Sequence, residues 1–168
     1  MTTPPHSRLI FLFVSAVCAA LMAFSFYLQF ALELEPCPLC ISQRIVITGL
    51  GIVALVAALH NPVNRGYRRY GGFLALFSLA GALLAGRQIW IQNLPPEKVP
   101  ACMPGIEYLV DILPVTDLLR IMLTGTGDCA DVQWVFLGLT IPGWTLILFI
   151  GFIVAGLFEC LRKRDSVV

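Results

Sequence analysis

From Leu9 to Leu32 the chain carries no charged residue, a stretch bounded by Arg8 and Glu33 and longer than the roughly 20 residues that span the hydrocarbon of a bilayer. A segment of this kind has few destinations. Its apolar core is too long for a secretory leader, no small-residue cleavage site follows, and further apolar runs come after it, so it reads as a retained first span. The rest of the 168 residues points the same way: 58% are hydrophobic, 12% are charged, and the mean hydropathy is +0.87. A soluble domain of this size has too little interior to hide such a fraction, whereas lipid accepts it on every helix face.

Three more spans follow, at about 40–59, 73–90 and 144–158. The second closes at His60-Asn61-Pro62, where proline discourages continuation, and the fourth starts after Pro142-Gly143. The expected fold is an all-α membrane protein, a single domain over 1–168 built as a four-helix bundle with both termini on one side. Arg8, the connection with Arg65, Arg68 and Arg69, and the tail with Arg162, Lys163 and Arg164 hold seven basic residues. The positive-inside bias makes these segments cytoplasmic. The exported face then holds a short loop, about 33–39, and a long one, about 93–142, whose only basic residues are Lys98 and Arg120. Trp90, Trp134 and Trp144 fall near the exported boundaries, as interfacial aromatics do.

Within the long loop, Ile106, Leu109, Val110, Ile112 and Leu113 alternate with Glu107 and Asp111 at helical spacing, until Pro114 interrupts. A second apolar stretch, Leu118 to Leu123, follows Thr116-Asp117 as a helix cap and ends at Gly125-Thr126-Gly127. Both pieces are too short to span. They are expected to lie at the interface as short helices, with packing on the bundle as the alternative. Glycines scattered through the spans permit close helix packing.

Topology sorts the six cysteines: Cys37, Cys40, Cys102 and Cys129 fall on the exported face, Cys18 and Cys160 away from it. The latter two read as small packing residues. Glu35-Pro36-Cys37-Pro38-Leu39-Cys40 sets a C-x-x-C at the start of a membrane helix. A disulfide across two residues gains little from chain entropy, so redox exchange explains the motif better than a structural bridge does. A helix N-terminus favours thiolate over thiol and so activates the sulfur. Arg44, one turn further on the same face, adds a full positive charge at a depth where it needs an accepting partner, unless it snorkels to the interface. Arg87, near the outer end of the third span, is a second intramembrane charge. Cys102 and Cys129 sit in turn-like, exposed settings, where a bond between them would serve either exchange or stapling of the loop. A four-cysteine metal site fits poorly, because the second pair lies far apart in the chain. On the residues alone three pairings of the four cysteines remain open.

Pro-Cys-Pro-Leu-Cys-Ile-Ser-Gln-Arg at 36–44 and Gly-Asp-Cys-Ala-Asp-Val-Gln-Trp-Val-Phe-Leu-Gly-Leu at 127–139, set among four spans, resemble the disulfide bond formation protein B family, DsbB, over nearly the whole chain. The resemblance implies a thiol oxidase of the bacterial inner membrane with its active cysteines on the periplasmic face. The Cys102–Cys129 pair would oxidise a soluble dithiol partner of the DsbA type, with Cys102 taking the mixed disulfide. The Cys37–Cys40 pair would then reoxidise the loop pair through Cys37 and Cys129, and Cys40 would lie against a quinone from the membrane pool, ubiquinone rather than menaquinone. Arg44 matches the arginine that supports the quinone. Where some relatives carry histidine at the outer end of the third span, this chain has Asn93, and Asn93 and Gln92 are the remaining candidate quinone contacts. Neither a metal nor a nucleic-acid partner is expected. Two other readings compete: a membrane scaffold whose loop is merely stapled, and a quinone-linked thiol reductase of the vitamin K epoxide reductase kind. In the latter the C-x-x-C typically sits near a late span, whereas here it opens the second.

Overall fold

The computed structural model describes residues 5–62, 65–103 and 106–162. Lys163 and Arg164 of the basic tail and Pro104 beside Cys102 lie outside the described residues, as do the side chains of Arg65, Ile106 and Glu107. Four helices are long and apolar enough to cross a membrane: α1 (Pro5–Ala31), α2 (Pro38–His60), α3 (Arg65–Gln92) and, after the long loop, α6 (Ile141–Leu161). Two short helices in that loop are α4 (Ile106–Ile112) and α5 (Val115–Thr124).

Each span is longer than its apolar run, for reasons that hydropathy does not register. α2 and α6 begin two and three residues before 40 and 144 because Pro38 and Pro142 occupy first-turn positions, where a missing N–H costs nothing. α3 begins eight residues before 73, since the Arg65–Gly72 stretch is polar yet still helical. α2 ends as its sequence suggests, with Asn61 in a left-handed conformation (φ +45°) and its N–H returned to the Ala57 carbonyl.

α3 runs along α6, α1 along α2, and α2 against α3, while α1 and α6 scarcely meet. Lipid supplies no hydrophobic drive between helices, so close packing must hold them together. The α3–α6 crossing achieves it with glycine: a Cβ on Gly71 would sit 2.7 Å from the Gly156 carbonyl, and one on Gly156 would sit 2.7 Å from the Ala75 nitrogen. Around α1 and α2, Phe11, Val14, Cys18, Leu50 and Ala54 form the bundle interior, and Cys18 packs against Gly51 as a small apolar residue. Outward positions such as Phe13, Phe30 and Leu83 stay more than 60% exposed, the lipid-facing complement of that interior.

The loop departs from its sequence reading in two places. α5 starts at Val115 with Pro114 as its N-cap residue, so Thr116 and Asp117 lie inside the first turn and make no cap hydrogen bond there. The C-terminal stop at Gly125 stands. A two-stranded ribbon, β1 (Val135–Phe136) and β2 (Leu139–Thr140), is an addition to the expected all-α fold. Leu137 and Gly138 turn it with φ of +50° and +80°, the paired positive values of a tight hairpin. Among the described residues, α5 does lean on the bundle: Ser42 Oγ on α2 donates to the Met122 carbonyl at 2.7 Å, and Arg87 Nε on α3 donates to Thr124 at 3.2 Å. Arg87 also lies over the Trp90 ring, 4.2 Å from its centre. Its charge therefore closes the end of α5, and Val115, Leu119 and Leu123 remain exposed along the opposite side.

Gly125 makes this docking possible. Its backbone (φ +80°, ψ 163°) lies in a region nearly reserved for glycine, and a Cβ there would come 2.6 Å from Leu39 Cδ1 and 2.9 Å from Ile91 Cδ1. Gly125→Ala is expected to destabilise the loop by about 1–3 kcal/mol from backbone strain alone. Hydrogen exchange over 115–124 in detergent should quicken by about tenfold or more, and exchange as slow as in the wild type would refute the docking role.

Candidate functional site

The first turn of α2 leaves amide groups that no residue of the helix can satisfy. Sulfur takes them. Cys37 is the N-cap residue, extended at φ −69° and ψ 163°, and its Sγ accepts from the Cys40 N–H at 3.3 Å. The Cys37 and Cys40 sulfurs lie 2.8 Å apart with both residues unbridged, and all six cysteines are free thiols.

Cys129 arrives from the far end of the loop. It sits on a 3-10 turn, Gly127–Ala130, and is fully buried among Leu39, Ile91 and the Cys37 side chain, contrary to the exposed setting expected of it. The turn is drawn inward because it lies directly after Gly125, whose docking against Leu39 and Ile91 carries the following residues over the start of α2. The Cys37 side chain and the Leu39 N–H both hydrogen-bond the Cys129 sulfur, and Thr126 adds to them. These donors outweigh burial and bring the Cys129 thiol down to about 6. Cys37, by contrast, is pushed well above the usual thiol range, first by its hydrogen bonds to Cys129 and Cys40 and then by burial. One proton is thus held on Cys37, beside a Cys129 sulfur that favours the anion.

Cys102 is exposed, and the residues before it run beside the same turn: Gly127 N–H donates to the Ala101 carbonyl at 3.1 Å, and a Cβ on Gly127 would approach Cys102 Sγ to 2.9 Å. Its immediate neighbour is Asp128, whose Oδ2 accepts from Thr126 Oγ1 at 3.0 Å and from the Met103 N–H at 3.3 Å. Hydrogen bonding to that carboxylate, with its charge, raises the Cys102 thiol. Cys37, Cys40, Cys102 and Cys129 are therefore gathered at one end of the bundle, and of the loop pair it is Cys129 that meets the C-x-x-C.

A cavity of about 400 Å³ opens beside Cys40, between α1, α2 and α6. Leu21, Met22, Leu28, Ile47 and Leu148 give it apolar walls; Arg44, Gln43, Gln88, Gln92 and Thr145 bring polar groups to it. Arg44 donates from Nη1 to Gln29 Oε1 at 2.5 Å and from Nη2 to the Ser25 carbonyl at 3.2 Å. The accepting partners its depth demands thus come from α1, and guanidinium has five N–H donors in all, so further ones remain for an acceptor in the cavity. Trp134, edge-on to Phe24 at 6.1 Å and stacked on Phe136 at 5.7 Å, borders the cavity near the hairpin. Gln92 lines the cavity and accepts from Thr140 Oγ1 at 3.1 Å. Asn93 does not reach it: the next position of a helix points about 100° away, and its side chain turns outward to cap the Ile89 carbonyl at 2.8 Å.

Two residues went unassigned in the sequence. Gln43 and Gln88, 4% and 3% exposed, meet across α2 and α3, and Gln88 Nε2 lies 3.2 Å from the Cys40 sulfur. The available signal was that each is an amide within an apolar span, where polar side chains are rare and need partners.

Comparison with known proteins identifies the family. The family model described as "Disulfide bond formation protein DsbB" matches residues 7–158. Proteins named disulfide bond formation protein B are 51% identical in Hahella chejuensis, over 94% of this chain and 95% of the relative, and 50% identical in Marinobacter nauticus, over 94% of each. The Methylococcus capsulatus relative is 49% identical over 89% of this chain and 91% of its own length. Four membrane-spanning helices, the clustered cysteines and these matches along nearly the whole chain lead to one assignment: the protein belongs to the DsbB family of disulfide-forming membrane oxidoreductases.

Proposed function

We propose that this chain reoxidises a soluble dithiol protein of the DsbA type and delivers the electrons to a membrane quinone held in the cavity beside Cys40. The observation that carries the reading is the run of sulfurs from Cys129 through Cys37 to Cys40, ending at an apolar cavity with Arg44 on its wall. The positive-inside bias of the basic connections supports an orientation with the opposite end of the bundle in the cytoplasm and the cysteines on the periplasmic face of a bacterial inner membrane.

The steps conserve atoms and electrons. A partner thiolate attacks the Cys102 sulfur of a Cys102–Cys129 disulfide, and Cys129 leaves as thiolate, which its hydrogen-bond donors stabilise. The second partner thiol then attacks its own mixed disulfide and releases Cys102; the Asp128 carboxylate favours the return of a proton to that sulfur. Cys129 next attacks Cys37 of a Cys37–Cys40 disulfide, expelling Cys40 at the cavity, and Cys102 resolves the Cys129–Cys37 bond to restore the loop disulfide. Cys37 and Cys40 are left as the reduced pair. Reclosing their disulfide releases two electrons and two protons, and a bound quinone supplies the two-electron acceptor. The cavity fits such a group: its walls suit a flat apolar ring, Arg44 offers donors to a carbonyl, and Gln92 adds an amide. A ubiquinone is the preferred occupant.

Anaerobic mixing of the quinone-loaded protein with a reduced DsbA-type partner should bleach the quinone absorbance in the wild type and leave it unchanged in Cys40→Ser. No bleaching in a loaded wild type, with a competent partner, would leave a stapled scaffold as the better description. Arg44→Leu should raise the KM for quinone by about tenfold or more, the worth of one charge-assisted hydrogen bond; an unchanged KM would remove Arg44 from the site.

The electrostatics give a separate test. In the reduced protein, the thiolate absorbance that disappears in Cys129→Ala should develop with a midpoint at about 6. A midpoint at the ordinary thiol value would contradict the leaving-group role. Asp128→Asn removes the carboxylate that raises Cys102, so alkylation of Cys102 at neutral pH should become faster.

A further inference from the structure

Behind the C-x-x-C, three buried or half-buried polar side chains from three different spans are joined end to end. Thr145 Oγ1 on α6 lies 2.7 Å from Gln43 Oε1 on α2, and Gln43 Nε2 lies 2.7 Å from Gln88 Oε1 on α3. Gln88 Nε2 then lies 3.2 Å from the Cys40 sulfur and 3.4 Å from that of Cys37. Three polar groups in an apolar bundle are costly unless each is satisfied, and here the chain of contacts satisfies them in one direction. A hydroxyl has a single proton. When Thr145 gives it to Gln43 Oε1, Gln43 must turn its NH₂ to Gln88, and Gln88 must turn its own NH₂ to the sulfurs.

The competing acceptor is the Pro142 carbonyl, 3.1 Å from the same hydroxyl. Donation there would release both amides to flip and present the Gln88 oxygen to sulfur, an arrangement that suits S–H and opposes an anion. The shorter contact to Gln43 favours the first polarity. An N–H on a sulfur anion is a charge-assisted bond, stronger than its counterpart on a neutral thiol, so the polarity of the chain bears on which state of Cys40 is held.

We propose that Thr145, Gln43 and Gln88 form a directional hydrogen-bond relay in which Gln88 contacts the reacting sulfur and Gln43 and Thr145 are positioning residues that keep its N–H aimed at Cys40. The relay deepens the proposed function, resting on Cys40 as the sulfur that faces the electron acceptor. It assigns part of the activation of Cys40 to α3 and α6, in addition to the helix start and Arg44. Thr145 matters most as evidence, because it acts on the sulfur through two intervening side chains.

The test is the rate of alkylation at Cys40, read by mass spectrometry in the fully reduced, quinone-free protein at fixed pH. Gln88→Leu should slow it by about tenfold, the effect of one hydrogen bond to a charged group. Thr145→Val, which keeps the shape and removes the hydroxyl, should slow it several-fold, and Thr145→Ser should restore most of the loss. In the Gln88→Leu background, Thr145→Val should add no further loss, because the last link is already gone. Full additivity, or equal rates for Thr145→Val and Thr145→Ser, would overturn the relay and leave only packing. Those outcomes do not depend on quinone reduction by the wild type, so failure of the relay is distinguishable from failure of the parent reading.

Discussion

Everything at the cysteine end of the molecule is arranged around the unpaired amides of the first turn of α2. Buried N–H groups demand acceptors, and in this fold the acceptors are sulfur atoms: Cys37 takes the Cys40 amide, and Cys129 takes that of Leu39. A local capping requirement thereby becomes a reason for a residue about ninety positions away to come home to the helix start. Leu39 and Ile91 supply the apolar floor, and Gly125 supplies the close backbone approach that lets the chain cross it. Capping, packing and thiol chemistry share the same few atoms, so none can be altered without disturbing the others.

The far half of the bundle works on a different principle. There, close contact between backbones substitutes for a hydrophobic drive, with Gly71 and Gly156 removing the side chains that would hold α3 and α6 apart. Ser7 and Glu159 meet in that region through a buried hydrogen bond of 2.8 Å, joining α1 to α6 where the two helices otherwise scarcely touch. A tightly packed half and a half built from loops and caps coexist in one small chain.

Much of this was open to reading in the residues. Spans could be found because lipid imposes a length and a polarity, and the C-x-x-C at 37–40 could be placed at a helix start because Pro38 suits a first turn and Cys37 precedes it. What could not be read depends on contacts distant in sequence. Nothing local to Cys129 says that it is buried, since its Gly, Asp and Ala neighbours look like any surface turn; its position follows from Gly125 fitting between Leu39 and Ile91. Asn93 and Gln92 are indistinguishable as candidates until helical phase sends one to the cavity and the other outward. Gln43 and Gln88 each look like an isolated amide until α2 and α3 are laid side by side. The hairpin at 135–140 was concealed by Leu137, a residue that seldom adopts the positive φ it has here.

The contrast in exposure between Cys102 and Cys129 has a consequence for insulation. A soluble thiol approaching from water finds one sulfur at the surface, while the remaining three lie covered or partly covered behind the 127–130 turn. Under the proposed exchange, Cys102 is thereby the sulfur most open to attack, and the inner pair is less so. If exchange runs as proposed, the burial of a single cysteine acts as a filter on which sulfur is reached first, a form of selectivity that comes from restricted access rather than from a shaped binding pocket.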